Sequence, residues 1–511
     1  MIEFAAVTGP LPKLGVIAVA CAAAAALLAR GARPRALAIV GALVLAPVLL
    51  LGDIWHSPQL AVLHRHPLVA AVGALLALAL VALLAVLIAR RPALFGALAI
   101  IALPFRVPIE AGGTSSNLLV PLYLVVAAGS LASVVPAFSS ADRADRGDAD
   151  AGGAGWIERL LALYIVLYGL QAIYSSDFQK ALQQTVFFYV PFALLFCLLR
   201  RMSWTSAQLR VCLQLIAGLA VLFAAVGFVE YATKSVFLNP KLIAANDVHT
   251  YFTVNSVFFD PDIFGRFLAL VMILLAAVLL QSRHQREQVQ ATVVLAILWG
   301  ALVLTLSRSS LGALLLGLAT LAALRWNASR AIVAAAGVVA LGAAVVAVTP
   351  NTFGLNQGLN GASAGRAGLV SGGIDLFGQR PLWGYGSGSF VARYRKHHPG
   401  TSTTLAASHT IAITIAAEQG LIGELAYIAL LLAAALTLLR GTRSDPARAA
   451  IAAAFLALVF HSGLYADFLE DPVTWTLLGI GAALAIARRS GDEEATPRAP
   501  ELTPVPASSR A

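Results

Sequence analysis

The sequence predicts an all-α, polytopic transmembrane helix bundle. Hydrophobic residues make up 59% of the 511-residue chain and charged residues only 12%, against roughly a quarter charged in soluble domains. Apolar runs of about 16 to 23 residues, long enough to cross a bilayer, recur from end to end. The mean hydropathy is +0.84.

In order, the apolar runs fall near 14–29, 36–51, 68–89, 92–104, 118–135, 160–174, 182–199, 208–230, 266–281, 290–306, 309–324, 331–349, 409–439, 449–465 and 473–487. Some are short or alanine-rich, so the expected number of spans is about 12 to 15. Arginine clusters at Arg30–Arg35, Arg90–Arg91, Arg200–Arg201, Arg283–Arg286, Arg325–Arg330, Arg440–Arg448 and Arg488–Arg489 all fall on one side of this scheme. Positive charge flanking spans marks the cytoplasmic side.

The expected organisation is an N-terminal set of spans in 1–135, a cytoplasmic linker in 136–156, a central set in 157–349, a long extracytoplasmic loop in 350–408, C-terminal spans in 409–489 and a disordered tail in 490–511. The linker is rich in Asp, Gly and Ala, and the tail in Pro, compositions that do not build a packed core. The long loop mixes aromatic, apolar and turn residues; "GRAGLVSGGIDLF" reads as a helix and "GQRPLWGYGSGSF" as turns, so a partly helical, folded segment is expected. The N-terminus has no basic region ahead of its first apolar run, and reads as a first span rather than a cleaved signal.

A net charge of +10 suggests nucleic acid only if the charge forms a stripe. Here it is scattered between spans, so no nucleic-acid partner is expected and membrane lipid is. The three cysteines lie in apolar segments without metal-type spacing. Asp260-Pro261-Asp262 has the form of a metal-binding pair, yet a turn before the next span accounts for it equally well. No metal and no cofactor is expected.

Several cations oppose the positive-inside bias: Arg266, Arg308, Arg366, Arg380 and Lys180 fall at the outer end of the bundle. Snorkelling to lipid phosphate is the plain explanation for any one of them. Arg308 resists it, because "TLSRSSLGALL" places it in a short turn between two apolar runs. A guanidinium there can hold a phosphate or a carboxylate through two parallel hydrogen bonds.

His409 opens the next span, with Ser408 as its expected N-cap. In the first turn the helix dipole disfavours the imidazolium, which leaves a neutral ring able to act as a base. Glu418 is about 180° around an unbroken helix from His409, so the two do not form a dyad. Glu418 is instead expected to hold a neighbouring group, with Gly420 and Gly423 permitting close helix approach.

"TLSRSSLGALL", the loop with "SAGRAG" and "PLWGYGSGSF", and "SHTIAITIAAEQGLIGELAYIALLL" together resemble the O-antigen ligase and polymerase superfamily of bacterial membrane glycosyltransferases, over about residues 250 to 440. The resemblance implies a GT-C-like bundle in the bacterial inner membrane with its site on the extracytoplasmic side. It implies a glycan donor on undecaprenyl diphosphate, and a saccharide or glycolipid acceptor. On that basis Arg308 and Arg366 would stabilise the leaving diphosphate, Arg266 or Lys180 would assist, and His409 would take the acceptor's proton, giving inversion without a metal. A repeat-unit polymerase of the same superfamily is the close alternative. A lipid-linked glycan flippase or other transporter is the alternative from another class.

Overall fold

The computed structural model describes residues 9–55, 65–111, 114–139, 154–237, 242–243, 246, 252–325, 329, 366–399, 408, 410–465 and 467–495. The expected span at 331–349 and His409 lie outside the described residues.

The described chain is helical apart from one hairpin. The first helices are α1 (Pro10–Leu28), α2 (Ala32–Ile54), α3 (Pro67–Arg90) and α4 (Ala93–Ala102). Strands β1 (Val107–Ala111) and β2 (Thr114–Leu118) then pair antiparallel, with Ile109 opposite Ser116. This hairpin lies between the apolar runs near 92–104 and 118–135.

Helices α5 (Val120–Ser139), α6 (Trp156–Ala172), α7 (Phe178–Gln184), α8 (Val190–Arg200) and α9 (Ser206–Thr233) follow. A π-helical turn at Thr185–Tyr189 joins α7 to α8, so that residues 178 to 200 form one continuous span. Next come α10 (Pro261–Gln281), α11 (Gln285–Leu304) and α12 (Arg308–Arg325). The last set is α13 (Arg366–Gln379), α14 (Phe390–His397), α15 (Ile411–Leu439), α16 (Pro446–Leu464) and α17 (Pro472–Ala495).

Eleven helices among the described residues are long and apolar enough to span a membrane, and α4 and the first part of α17 are shorter apolar helices. The protein is a multi-pass helical bundle.

Three helices start in the same way, and the sequence shows why. Asp260, Asp445 and Asp471 each precede a proline, and each carboxylate accepts a hydrogen bond from a backbone N–H of the first turn: Asp262 N at 2.7 Å, Ala447 N at 3.0 Å and Val473 N at 3.0 Å. Aspartate satisfies an otherwise orphaned donor, and proline at the first helical position has no N–H to lose. Asp-Pro therefore sets where α10, α16 and α17 begin.

Helix α10 sits at the centre, packed by α9, α11, α12 and α16. Its residues Phe264, Leu268, Ala269 and Ile273 are fully buried. At the arginine-rich end, a buried ion pair between Arg200 and Glu158 ties α8 to α6.

Helix α15 is not continuous. At Gly420 the backbone turns to φ 66° and ψ −165°, which breaks the helix within the segment read from sequence as one span. The helix starts at Ile411 with Thr410 as its N-cap, so Ser408 is not the cap expected of it. Ser408 instead closes a local turn, donating to Thr410 O at 2.6 Å.

Candidate functional site

Two carboxylate-centred clusters stand at the end of the bundle that carries α13 and α14. The first is built on Asp262, in the first turn of α10. Its Oδ1 accepts from Ser307 Oγ at 2.5 Å and Ser309 Oγ at 3.3 Å. Its Oδ2 faces Arg366 Nη2 at 3.2 Å. Arg366, the first residue of α13, also donates from Nη1 to Leu464 O at 3.1 Å, at the end of α16.

Arg308 begins α12 within this serine turn, between Ser307 and Ser309, and is exposed. One acidic side chain thus joins the turn carrying Arg308 to the helix carrying Arg366. From sequence Asp262 reads as part of a turn. It is a turn residue, and it is also the link between the two arginines.

Behind this surface layer lies a buried one. Arg266, one turn further along α10, pairs with Asp471 Oδ2 at 2.8 Å. Both side chains are buried, and Arg266 Nη1 has no partner among the described residues. Asp471 also caps α17, so a single residue fixes both a helix start and a guanidinium.

Asp260, hydrogen-bonded by Tyr465, is pushed up from its ordinary 3.8 to about 6. Burial is the main cause and the nearby Asp262 charge adds to it. Among the described residues no group of three His, Cys, Asp or Glu is arranged to hold a metal ion.

From Arg266 and Asp471 an apolar cavity of about 430 Å³ runs along α10 towards Gln281. Phe267, Leu270, Leu274, Ile216 and Ile480 line it, and Arg106 is among its lining residues. The length is apolar and both ends are charged, with Arg266 and Asp471 at one and Arg210 and Asp445 at the other.

The second cluster is built on Glu418. Its Oε2 accepts from Gly388 N at 2.8 Å and its Oε1 from Phe390 N at 2.9 Å, which fixes the glycine-rich loop between α13 and α14. The break in α15 receives this loop backbone to backbone: Gly386 N donates to Glu418 O at 2.8 Å, and Leu421 N to Pro381 O at 2.7 Å. Gly384 and Gly420 have positive φ, and a Cβ on either would lie 2.2 to 2.4 Å from a carbonyl oxygen of the other segment. Only glycine allows this approach. Gly423, expected to serve helix approach, has its open side facing Gln419 of its own helix.

The loop is also gripped from α6 and the turn after it. Tyr174 donates to Trp383 O at 2.7 Å and Ser175 to Ser387 O at 2.7 Å. Arg380 and Arg393 flank the Tyr385 ring. Glu470, on the link between α16 and α17, has its carboxyl pushed up by burial, with Asp467 adding to the effect and Lys180 opposing it.

Arg308 and Arg366 are therefore brought to one place, and Arg266 lies beneath them on the same helix as Asp262. Lys180 is not joined to that group; its backbone lies against Gly388 in the second cluster. Sequence reasoning missed His461, Tyr465 and Asp471. The available signal was a histidine at the end of an apolar run followed by the acidic "YADFLEDP".

Fold and site define a polytopic helical membrane protein with Arg308, Arg366 and Arg266 brought together at the loop-bearing end of the bundle. Residues 291–428 match the family model described as O-Antigen ligase, so this segment is similar to the O-antigen ligase superfamily. A search of curated proteins returns no match. The matched segment takes in Arg308, Arg366, His409 and Glu418, whereas Asp262, Arg266 and His461 lie outside it.

Proposed function

We propose that the protein is an inverting membrane glycosyltransferase that moves a glycan from undecaprenyl diphosphate to a saccharide hydroxyl, at the extracytoplasmic face of a bacterial inner membrane. The observation that carries this reading is the meeting of Arg366 and the Arg308 turn on Asp262, above an apolar cavity with Arg266 at its rim. The cavity offers apolar contacts to part of a prenyl chain, and the guanidinium groups suit its diphosphate.

In the reaction, the acceptor oxygen forms a bond to the anomeric carbon as the bond from that carbon to the diphosphate oxygen breaks. The electron pair leaves with the diphosphate, whose growing charge Arg308 and Arg366 stabilise. The acceptor's proton passes to His409 as general base. Arg266, held by Asp471, assists from below through its remaining N–H donors. The scheme requires no metal ion. Glu418 keeps the glycine loop in place and stays outside the chemistry.

The test is reconstitution of the purified protein with a defined undecaprenyl-diphosphate oligosaccharide and candidate acceptors. A single addition to a distinct acceptor identifies a ligase, and a ladder of lengths identifies a polymerase. Transfer by His409→Ala at the wild-type rate removes the base from the scheme. Movement of the donor across the bilayer without any transfer would replace the enzyme by a flippase.

A further inference from the structure

Asp262 has more donors aimed at it than one ion pair needs, and tracing their hydrogens leads to a buried residue. Ser307 and Ser309 approach its carboxylate, and Ser310 Oγ stands 3.3 Å from its backbone oxygen. A hydroxyl has one hydrogen to give. When Ser309 and Ser310 give theirs to Asp262, their oxygens are left to accept. Although Ser307 Oγ also approaches Ser310 Oγ at 2.8 Å, a hydroxyl oxygen has two lone pairs and can take a second donor from the other side. His461 Nε2 lies there, 3.2 Å from each.

His461 is fully buried on α16, and its Nδ1 has no partner among the described residues. An orphaned buried N–H is rarer than an under-used acceptor, so the proton belongs on Nε2. The donors then run in one direction, from His461 through the two serines to Asp262, and from Arg366 to the same carboxylate.

We propose that His461 is a positioning residue for the cationic site: through Ser309 and Ser310 it fixes Asp262, which sets Arg366 against the turn that carries Arg308. The proposal rests on the reading of those arginines as the pair that holds the diphosphate. His461 touches no substrate in this scheme. It acts from behind, by holding the hydroxyls in one orientation.

The test uses the full chain in lipid nanodiscs and measures two things: transfer, and modification of Arg366 by phenylglyoxal, located by peptide mass spectrometry. His461→Phe fills the space without the N–H, Asp262→Asn removes the charge, and His461→Gln returns an N–H near the Nε2 position. With melting temperature unchanged, His461→Phe and Asp262→Asn are expected to expose Arg366 to faster modification and to slow transfer roughly tenfold or more. His461→Gln is expected near wild type in both, and the Asp262→Asn/His461→Phe double variant no worse than Asp262→Asn alone.

Wild-type labelling and transfer in His461→Phe, a His461→Gln variant as defective as His461→Phe, or fully multiplicative effects in the double variant would each overturn the proposal. Should His461→Phe not fold, His461→Asn serves in its place. Its amide reaches the Nδ1 position and not Nε2, so a defect in Asn with a normal Gln variant supports the relay and the reverse order overturns it. Labelling does not depend on turnover. If Arg308→Ala and Arg366→Ala keep full transfer the functional reading fails, whereas the labelling pattern still decides the relay.

Discussion

Glu418 and Asp262 are both carboxylates at the loop-bearing end of the bundle, yet Glu418 uses its two oxygens on backbone N–H groups while Asp262 uses its own on side chains. The Glu418 cluster is closed: loop and broken helix touch through main chain, with glycines where any Cβ would collide. The Asp262 cluster is half open, with the Arg366 side chain 37% exposed. Backbone partners cannot move without moving the chain. Side-chain partners can turn to a ligand when one arrives. On the proposed function, the contrast separates the part that shapes the site from the part that would meet a charged substrate.

The comparison breaks most visibly at the glycines. Gly420→Ala combines a left-handed backbone with a Cβ placed 2.4 Å from Leu382 O. A loss of roughly 4 kcal/mol or more in stability is expected, seen as a collapse of the melting temperature in detergent.

Next comes Glu418→Ala, which strands the amides of Gly388 and Phe390. At about 1–3 kcal/mol for each unsatisfied buried donor, it should cost a few kcal/mol, and Glu418→Gln about half as much, since one amide oxygen remains as acceptor. Hydrogen exchange at residues 386 to 390 should rise in step. Unchanged exchange there in Glu418→Ala would remove the clamp from the account.

Asp260 gives a smaller effect with a pH signature. Its carboxyl is held near 6 instead of 3.8, so the folded state binds the proton more tightly than the unfolded state does. Below about pH 4 this favours folding fully, and the benefit is lost as pH rises to about 6, a change of up to ~3 kcal/mol. Asp260→Asn keeps an N-cap acceptor, and should flatten the melting curve against pH over that window and raise stability at pH 7. Asp262, Asp467 and Tyr465 face the same carboxyl, so a flattening by less than the full amount is expected. No change in pH dependence would contradict the burial of Asp260.

The helical membrane class was legible in composition because spans must satisfy their backbone internally and be apolar outside. Hydropathy alone placed most helices within a few residues. It did not show the break at Gly420, because a glycine inside a membrane helix reads equally well as a site of close packing. It also did not show the β1–β2 hairpin.

At the site, Arg308 and Arg366 stood out because each is a cation out of place. Asp262 did not, since Asp-Pro-Asp is sufficiently explained by helix capping, and Asp260 does cap α10. His461 meets its serine partners, and Asp471 meets Arg266, across some 150 to 200 positions of the chain. No local pattern encodes such a meeting.

The most direct test of the central claim is a single-turnover measurement of glycan transfer at saturating lipid-diphosphate donor, comparing wild type with Arg308→Ala, Arg366→Ala and Arg366→Lys. The account predicts rates lowered about 10²–10³-fold in the alanine variants, as for removal of a preorganised donor to a leaving oxyanion, with partial recovery in lysine and melting temperatures unchanged. Wild-type single-turnover rates in folded Arg308→Ala and Arg366→Ala proteins would contradict it.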